Sequence, residues 1–239
     1  MSLDTSGGRA EMHHRHRDVN GGWLRPSVFG AMDGLVSNFA LIAGVAGGAA
    51  STKVILLAGT AGLAAGAFSM AGGEYVSVAS QRELALAEID VERRELERHP
   101  EAELEELAKL YEERGVDPAV AAEVARQISM DPARALEVHT EAELGVTFRD
   151  LPSPRIAAIS SFLSFGVGAL LPLLPYLLGV TSLVASAVIS CLALFGAGAL
   201  VSRVTARSWW YSGLRQLVVG AVAAGLTFTL GTFLGGTGL

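Results

Sequence analysis

The sequence predicts an all-α polytopic membrane protein, with five transmembrane helices and a cytoplasmic helical insertion between the second and third. Three observations carry that expectation. Of 239 residues, 51% are hydrophobic, 28 are glycine and only 18% are charged, which is too apolar and too glycine-rich for an ordinary soluble domain. The apolar residues fall into long uncharged runs, at 26–52 with Asp33 as sole interruption, 54–73, 156–202 and 216–239. Finally, 19 of the 24 acids lie between Glu83 and Asp150, so the acidity of the chain is concentrated in one segment.

Residues 1–25 are polar and lack the apolar core of a signal peptide, and they read as a flexible cytoplasmic tail. Spanning helices follow from length, since about 20 apolar residues cross a bilayer. The 47-residue run at 156–202 must therefore fold back once, and Gly179, within 178–182, marks the reversal. The expected spans are 26–48, 53–77, 156–178, 182–202 and 214–236. Many glycines sit inside them, where Gly196, Gly198, Gly220 and Gly225 are expected to let helices approach closely.

The domain boundaries follow, with the tail at 1–25, two spans at 26–79, the insertion at 80–152 and three spans at 153–239. In the insertion, charged residues alternate with Leu, Ala and Val at helical spacing. Pro100 follows His99 and starts a helix, Gly115 ends it, and Asp117-Pro118 and Asp131-Pro132 each read as a cap followed by a first turn. The expected helices are 80–98, which can continue out of the second span, 100–114, 118–129 and 132–144.

Arginines set the orientation, because positively charged loops stay cytoplasmic. Arg9, Arg15, Arg17 and Arg25 precede the first span, Arg82, Arg149 and Arg155 flank the insertion, and Arg203, Arg207 and Arg215 fill the loop before the fifth span. The opposite side has only Lys53 and an uncharged C-terminus. The N-terminus is expected inside and the C-terminus outside, with Trp209, Trp210 and Tyr211 in the inner loop at headgroup level. The absence of an organelle-targeting peptide points to a prokaryotic plasma membrane.

Several chemistries are excluded. No basic stripe interleaved with aromatics appears, so no nucleic-acid partner is expected. The single cysteine, Cys191, rules out internal disulfides and multi-cysteine metal sites, and reads as a small core residue. His13, His14 and His16 can bind metal or merely belong to a polar tail. Glu11 and His14 form the chain's one Glu-x-x-His spacing, whereas a ferritin-like di-iron oxidase needs two on bundle helices. No P-loop, Gly-x-Ser-x-Gly or zinc-protease signature is present, so no enzyme and no prosthetic group are expected.

The membrane-embedded part holds only two acids, Asp33 and Glu74. A carboxylate within hydrocarbon costs about 2.5–3.5 kcal/mol on insertion scales, so such groups tend to face an interior pathway. Both fall in the cytoplasmic half and can face each other. Met70, four residues before Glu74, shares its helical face one turn deeper. Carboxylate with thioether suits a first-row divalent cation better than magnesium or calcium, and a carboxylate that deprotonates to bind metal supplies proton coupling. The alternative is a neutral, backbone-bonded Asp33, a lipid-facing Met70 and a Glu74 at the headgroups.

In the insertion, Glu92, Glu95, Glu103 and Glu106 fall within about 80° of one face of a continuous helix at about 100° per residue, and the two pairs can still converge if Pro100 makes a turn. Glu143, with His139 one turn earlier, can complete a cluster. A solvated acidic face is the competing reading.

Five stretches resemble the vacuolar iron transporter family: Gly30-Ala31-Met32-Asp33-Gly34-Leu35-Val36-Ser37, Ser69-Met70-Ala71-Gly72-Gly73-Glu74-Tyr75-Val76-Ser77, Glu141-Ala142-Glu143-Leu144-Gly145, Pro172-Leu173-Leu174-Pro175-Tyr176 and Ser212-Gly213-Leu214-Arg215-Gln216-Leu217. They occur in order from about Trp23 to Gly236. The resemblance implies a homodimer whose translocation path lies between the two copies, exporting Fe2+, or Mn2+ and related ions such as Zn2+, Co2+ or Ni2+, in exchange for H+. It implies Asp33 and Met70 on the path, with Glu74 matching those members that have an acid there. It also implies Glu92, Glu95, Glu103, Glu106 and Glu143 as cytoplasmic metal ligands. Two departures bear on metal preference. His139-Thr140 stands where some members have Met-Glu, and His139 can substitute as a ligand. Met32 stands where many members have a small or amide residue.

The resulting expectation is a proton-coupled exporter of divalent transition metal in contact with membrane lipid. The alternative from another class is a membrane-anchored protein that binds or senses metal without transporting it.

Overall fold

The computed structural model describes residues 22–145, 151–205 and 207–236; Glu11, His13, His14, His16, Arg149 and Asp150 lie outside them. The described residues form eight α-helices and one π-helical turn. They are α1 (Leu24–Gly47), α2 (Thr52–Arg98), α3 (Pro100–Glu113), α4 (Pro118–Ser129), α5 (Pro132–His139), the π turn (Thr140–Leu144), α6 (Pro154–Leu177), α7 (Leu183–Thr205) and α8 (Trp209–Gly236). No strand occurs among the described residues.

Five helices, α1, α2, α6, α7 and α8, are long and apolar enough to cross a membrane. Their boundaries differ from the expected ones in two informative places. First, α2 is unbroken for 47 residues, about 70 Å at 1.5 Å per residue against a hydrocarbon core of about 30 Å. Its apolar first half packs on one side of the bundle, against α6 and α1, and its charged second half projects beyond it. Second, α8 begins at Trp209, so Trp209, Trp210 and Tyr211 form its first turn rather than a loop. The reversal between α6 and α7 falls at Gly179, whose φ of 83° lies in the left-handed region that a side chain would strain.

Helix α1 is the hub, packing on α6, α8, α2 and α7. It runs parallel to α6 and α8 and antiparallel to α2. Asn38 Nδ2 donates to the Ala169 carbonyl of α6 at 2.6 Å, and Thr227 Oγ1 of α8 donates to the Ala40 carbonyl at 2.6 Å. The α1–α6 approach is close enough that a Cβ on Gly34 would strike the Phe165 carbonyl, and one on Gly168 the Ala31 carbonyl. Of the four glycines expected to relieve packing, Gly198 and Gly220 do so, against Ser212 and Leu194, whereas Gly196 and Gly225 face open space. Ile42, Ile55, Leu173 and Tyr176 make the largest buried cluster, between α1, α2 and α6.

The outer surface stays apolar. Phe29, Leu57, Phe68, Leu163, Leu192, Leu226 and Phe233 are all exposed, which water would penalise and lipid does not.

The insertion caps its helices as their sequence dictates. The Asp117 carboxylate accepts from the Ala119 and Val120 amides, and that of Asp131 from the Ala133 and Arg134 amides, each ahead of a first-turn proline. Gly115, at φ 89°, follows α3. Helices α3–α5 fold back on the α2 extension around buried Ile89, Leu107, Ala121 and Ala125. The last expected helix, 132–144, is α-helical only to His139 and then widens into the π turn, which is closed by the Gly145 amide donating to the Thr140 carbonyl.

Candidate functional site

Two carboxylate-bearing sites occupy different parts of the molecule. The first joins the α2 extension, α3 and the α5–π junction. Glu92, Glu103, His139 and Glu143 each offer a ligand atom there, and these atoms lie within 4.8 Å of one another. His139 is the centre. Its Nδ1 is 3.2 Å from Glu92 Oε1, 3.5 Å from Glu103 Oε2 and 3.3 Å from Glu143 Oε1.

Local structure explains the convergence. Helix α2 ends at Arg98 and α3 starts at Pro100, so Glu92 and Glu103 come from two helices that meet at a turn. Helix α5 brings His139 down onto that pair, with its side chain only 1% exposed. The π turn then keeps Glu143 beside the imidazole four residues earlier. Such widened turns occur frequently at functional sites. Thr140, fully buried at its start, donates its hydroxyl to the Leu136 and Glu137 carbonyls at 2.8 and 3.1 Å.

The electrostatics are those of crowded acids. Burial first, then the Glu143, Glu103, Glu106 and Glu95 carboxylates, push the Glu92 carboxyl up to about 7. Burial also raises Glu103, with His139 opposing it. His139 Nε2 and Glu92 Oε1 are buried without a hydrogen-bond partner, the latter despite its proximity to Nδ1. Three carboxylates and an imidazole form an oxygen and nitrogen donor set suited to divalent first-row cations. An ion with bonds of about 2.1 Å holds its ligand atoms no more than about 4.2 Å apart. Side-chain shifts of a few tenths of an ångström would therefore close this set. Glu95 and Glu106 stand beside it, near enough to raise Glu92 but outside the converging group.

The second site lies within the bundle. A cavity of about 260 Å³ between α1, α2 and α6 is lined by Asp33, Ser37, Asn38, Ser69, Met70 and Phe165, among others. Asp33 and Met70 thus share one chamber, whereas Glu74, half-buried one turn along α2, lies outside it. Phe165 packs with Ala67, Ala169 and Met70 to form one wall. The Ser37 hydroxyl donates to the Asp33 carbonyl at 2.6 Å. Asn38 is a lining residue that the sequence reading passed over. Its Nδ2 is satisfied by Ala169, while its buried Oδ1 has no partner and sits 3.0 Å from where a Cβ on Gly62 would stand. An amide five residues after an intramembrane acid was the signal that could have found it. Carboxylate, amide oxygen, hydroxyls and thioether together give a cation several partial ligands without a closed cage.

The VIT family model matches residues 24–232, from the start of α1 into α8. The chain belongs to the VIT family. A protein of Acanthamoeba castellanii named vacuolar iron transporter is 46% identical over 162 residues, covering 67% of this chain but only 58% of the amoebal protein. Vacuolar iron transporter 1 of Arabidopsis thaliana is 32% identical over 225 residues, 91% of this chain and 89% of the plant protein. Vacuolar iron transporter 2 of Oryza sativa subsp. japonica is 33% identical over 211 residues, 86% of this chain and 85% of its own. The matched span of this VIT family chain contains the intramembrane cavity and the whole Glu92–Glu143 cluster.

Proposed function

We propose that this VIT family chain exports divalent transition metal from the cytoplasm in exchange for protons, with Fe2+ the preferred cargo and Mn2+ second. The observation that carries the reading is the intramembrane cavity that Asp33 and Met70 both line. A hard and a soft ligand in one chamber between membrane-length helices suit a borderline cation in transit, and Asp33 must lose its proton to bind it. The names of the relatives, vacuolar iron transporters, support iron as the cargo.

In this reading the insertion, 80–152, is a cytoplasmic capture domain. Glu92, Glu103, His139 and Glu143 form its inner ligand set and Glu95 and Glu106 its flanking acids. Glu74, at the inner end of the second span, lies between the two sites and hands ions from one to the other. The N-terminus is inside, the C-terminus outside, the membrane is a prokaryotic plasma membrane, and two copies assemble as a homodimer around the path.

The test is metal flux into proteoliposomes containing a fluorescent chelator, with an imposed proton gradient, comparing the native chain with Asp33→Ala. Gradient-dependent Fe2+ flux that disappears in a folded Asp33→Ala variant is expected. Full flux in that variant would refute the path. No flux of any first-row metal through a folded native chain that still binds metal would instead make the protein a membrane-anchored metal binder.

A further inference from the structure

A second cavity, of about 510 Å³, opens where α7 ends and α8 begins. Because α6 leaves the insertion end of the bundle and α7 returns to it, this cavity lies at the insertion end, on the flank away from the Asp33 chamber. Its lining has an apolar and a polar part. Gly196 and Leu200 of α7 form an apolar trough, with nothing within 4 Å of where a Cβ on Gly196 would stand and with Leu200 exposed. Arg203, Arg207, Ser208 and Trp209 form the polar rim, and no carboxylate lines the cavity among the described residues. No Asp or Glu occurs anywhere in residues 151–239, while Arg155, Arg203, Arg207 and Arg215 do. Trp209 is held edge-on against Phe195, with ring centroids 5.9 Å apart, so the mouth has a fixed aromatic wall. The Ser208 backbone carbonyl accepts from the Ser212 amide at 3.1 Å, which starts α8 beside the rim.

We infer that the α7–α8 junction binds one anionic phospholipid, its phosphate on Arg203 and Arg207 beside Trp209 and one acyl chain along the Gly196–Leu200 trough. A soluble phosphate would use the rim but has no need of an apolar trough. A zwitterionic lipid fits the trough but brings its own cation to two guanidiniums. Basic pockets between spanning helices at the inner membrane face select anionic headgroups for this reason. The inference is independent of metal transport, since neither Asp33 nor the glutamate cluster takes part.

The test uses the full chain purified in detergent, with its unfolding temperature followed while dioleoylphosphatidylglycerol, dioleoylphosphatidylcholine or inorganic phosphate is added. Phosphatidylglycerol is expected to raise the midpoint saturably, and the other two to leave it nearly unmoved. In Arg203→Gln/Arg207→Gln the half-saturating concentration should rise about tenfold or more, while Arg155→Gln, at the start of α6, should behave as the native chain. Equal responses to the two lipids, an unchanged response in the double variant, equal loss in Arg155→Gln, or a full shift from phosphate alone would each overturn the site. If the double variant does not fold, Gly196→Leu decides. Its Cβ would stand in open space, its side chain would occupy the trough and both arginines remain, so a native response in it would also overturn the proposal.

Discussion

The chamber around Asp33 and the cluster around His139 are both carboxylate sites, yet they are assembled by opposite means. In the bundle, one half-buried acid lines a cavity beside an α1–α6 contact so close that Gly34 and Gly168 admit no side chain. In the insertion, three acids are drawn together from the end of the long α2, from α3 and from the π turn, around a histidine on the short, Asp131-capped α5. The first site has few charges and a close-packed frame; the second has many charges and depends on how the eight-residue α5 docks on α2 and meets Glu103 of α3. Burial, and after it the neighbouring carboxylates, raise Glu92 to about 7, a state that binding of a cation would relieve. In the proposed function, the second site collects ions and the first passes them on.

The largest effect expected from separating these roles is at Asp33. Asp33→Asn keeps the volume of the side chain but replaces one acceptor oxygen by an amide donor and removes the charge and the titratable proton. Flux in proteoliposomes should fall to background, as with Asp33→Ala, while metal binding by the purified chain persists through the cluster. Retained proton-coupled flux in Asp33→Asn would show that the carboxylate is not the coupling group.

Next in size is the cluster itself. Glu92→Ala/Glu103→Ala should abolish most calorimetric Fe2+ or Mn2+ binding to the full chain, whereas Glu95→Ala/Glu106→Ala should weaken it several-fold, since those two carboxylates lie outside the converging group. Equal losses in the two pairs would mean that the four glutamates act as one face. That is how the sequence arranges them, because 100° steps along an uninterrupted helix put all four within one arc. The chain breaks that arc at Pro100, and what then sorts the glutamates is the docking of α5, a tertiary event with no signature in their spacing. The π turn was equally hidden, since Glu141-Ala142-Glu143-Leu144 reads as ordinary helix. By contrast, the spans, the Gly179 reversal and the Asp117 and Asp131 caps were legible because each depends on local composition. The early start of α8 was missed because an aromatic headgroup cluster fits a loop or a helical turn equally well.

A smaller effect concerns pH. The Glu92 carboxyl is raised from 4.5 to about 7 in the folded chain, so between those values the folded state binds more protons than the unfolded one. The stability of the metal-free protein should therefore fall as pH rises from about 4.5 to about 7 and level off above, with Glu103 adding in the same direction. Scanning calorimetry of the metal-free chain at pH 5.5 and 8 should show the lower midpoint at pH 8, and Glu92→Gln should flatten the difference. A bound divalent cation should invert the slope, because it displaces the protons. An equal slope in Glu92→Gln would place the titration elsewhere.

The smallest effect tests whether local capping really positions the cluster. Asp131 holds the first turn of α5 through the Ala133 and Arg134 amides, at 3.0 and 3.4 Å, and His139 sits at that helix's other end. Removing such a cap costs about 1 kcal/mol. Because α5 has only eight residues before the π turn, little else in the helix itself absorbs the loss. Asp131→Ala should therefore lower metal affinity about two- to fivefold and leave flux at saturating metal unchanged, since the Asp33 chamber depends on α1, α2 and α6. Calorimetry and flux measured on one preparation distinguish the cases. Loss of affinity with intact saturating flux fits a capture site held by local interactions. A matching fall in saturating flux would mean that the insertion and the bundle form one mechanical unit, and the division of labour between the two sites would have to be abandoned.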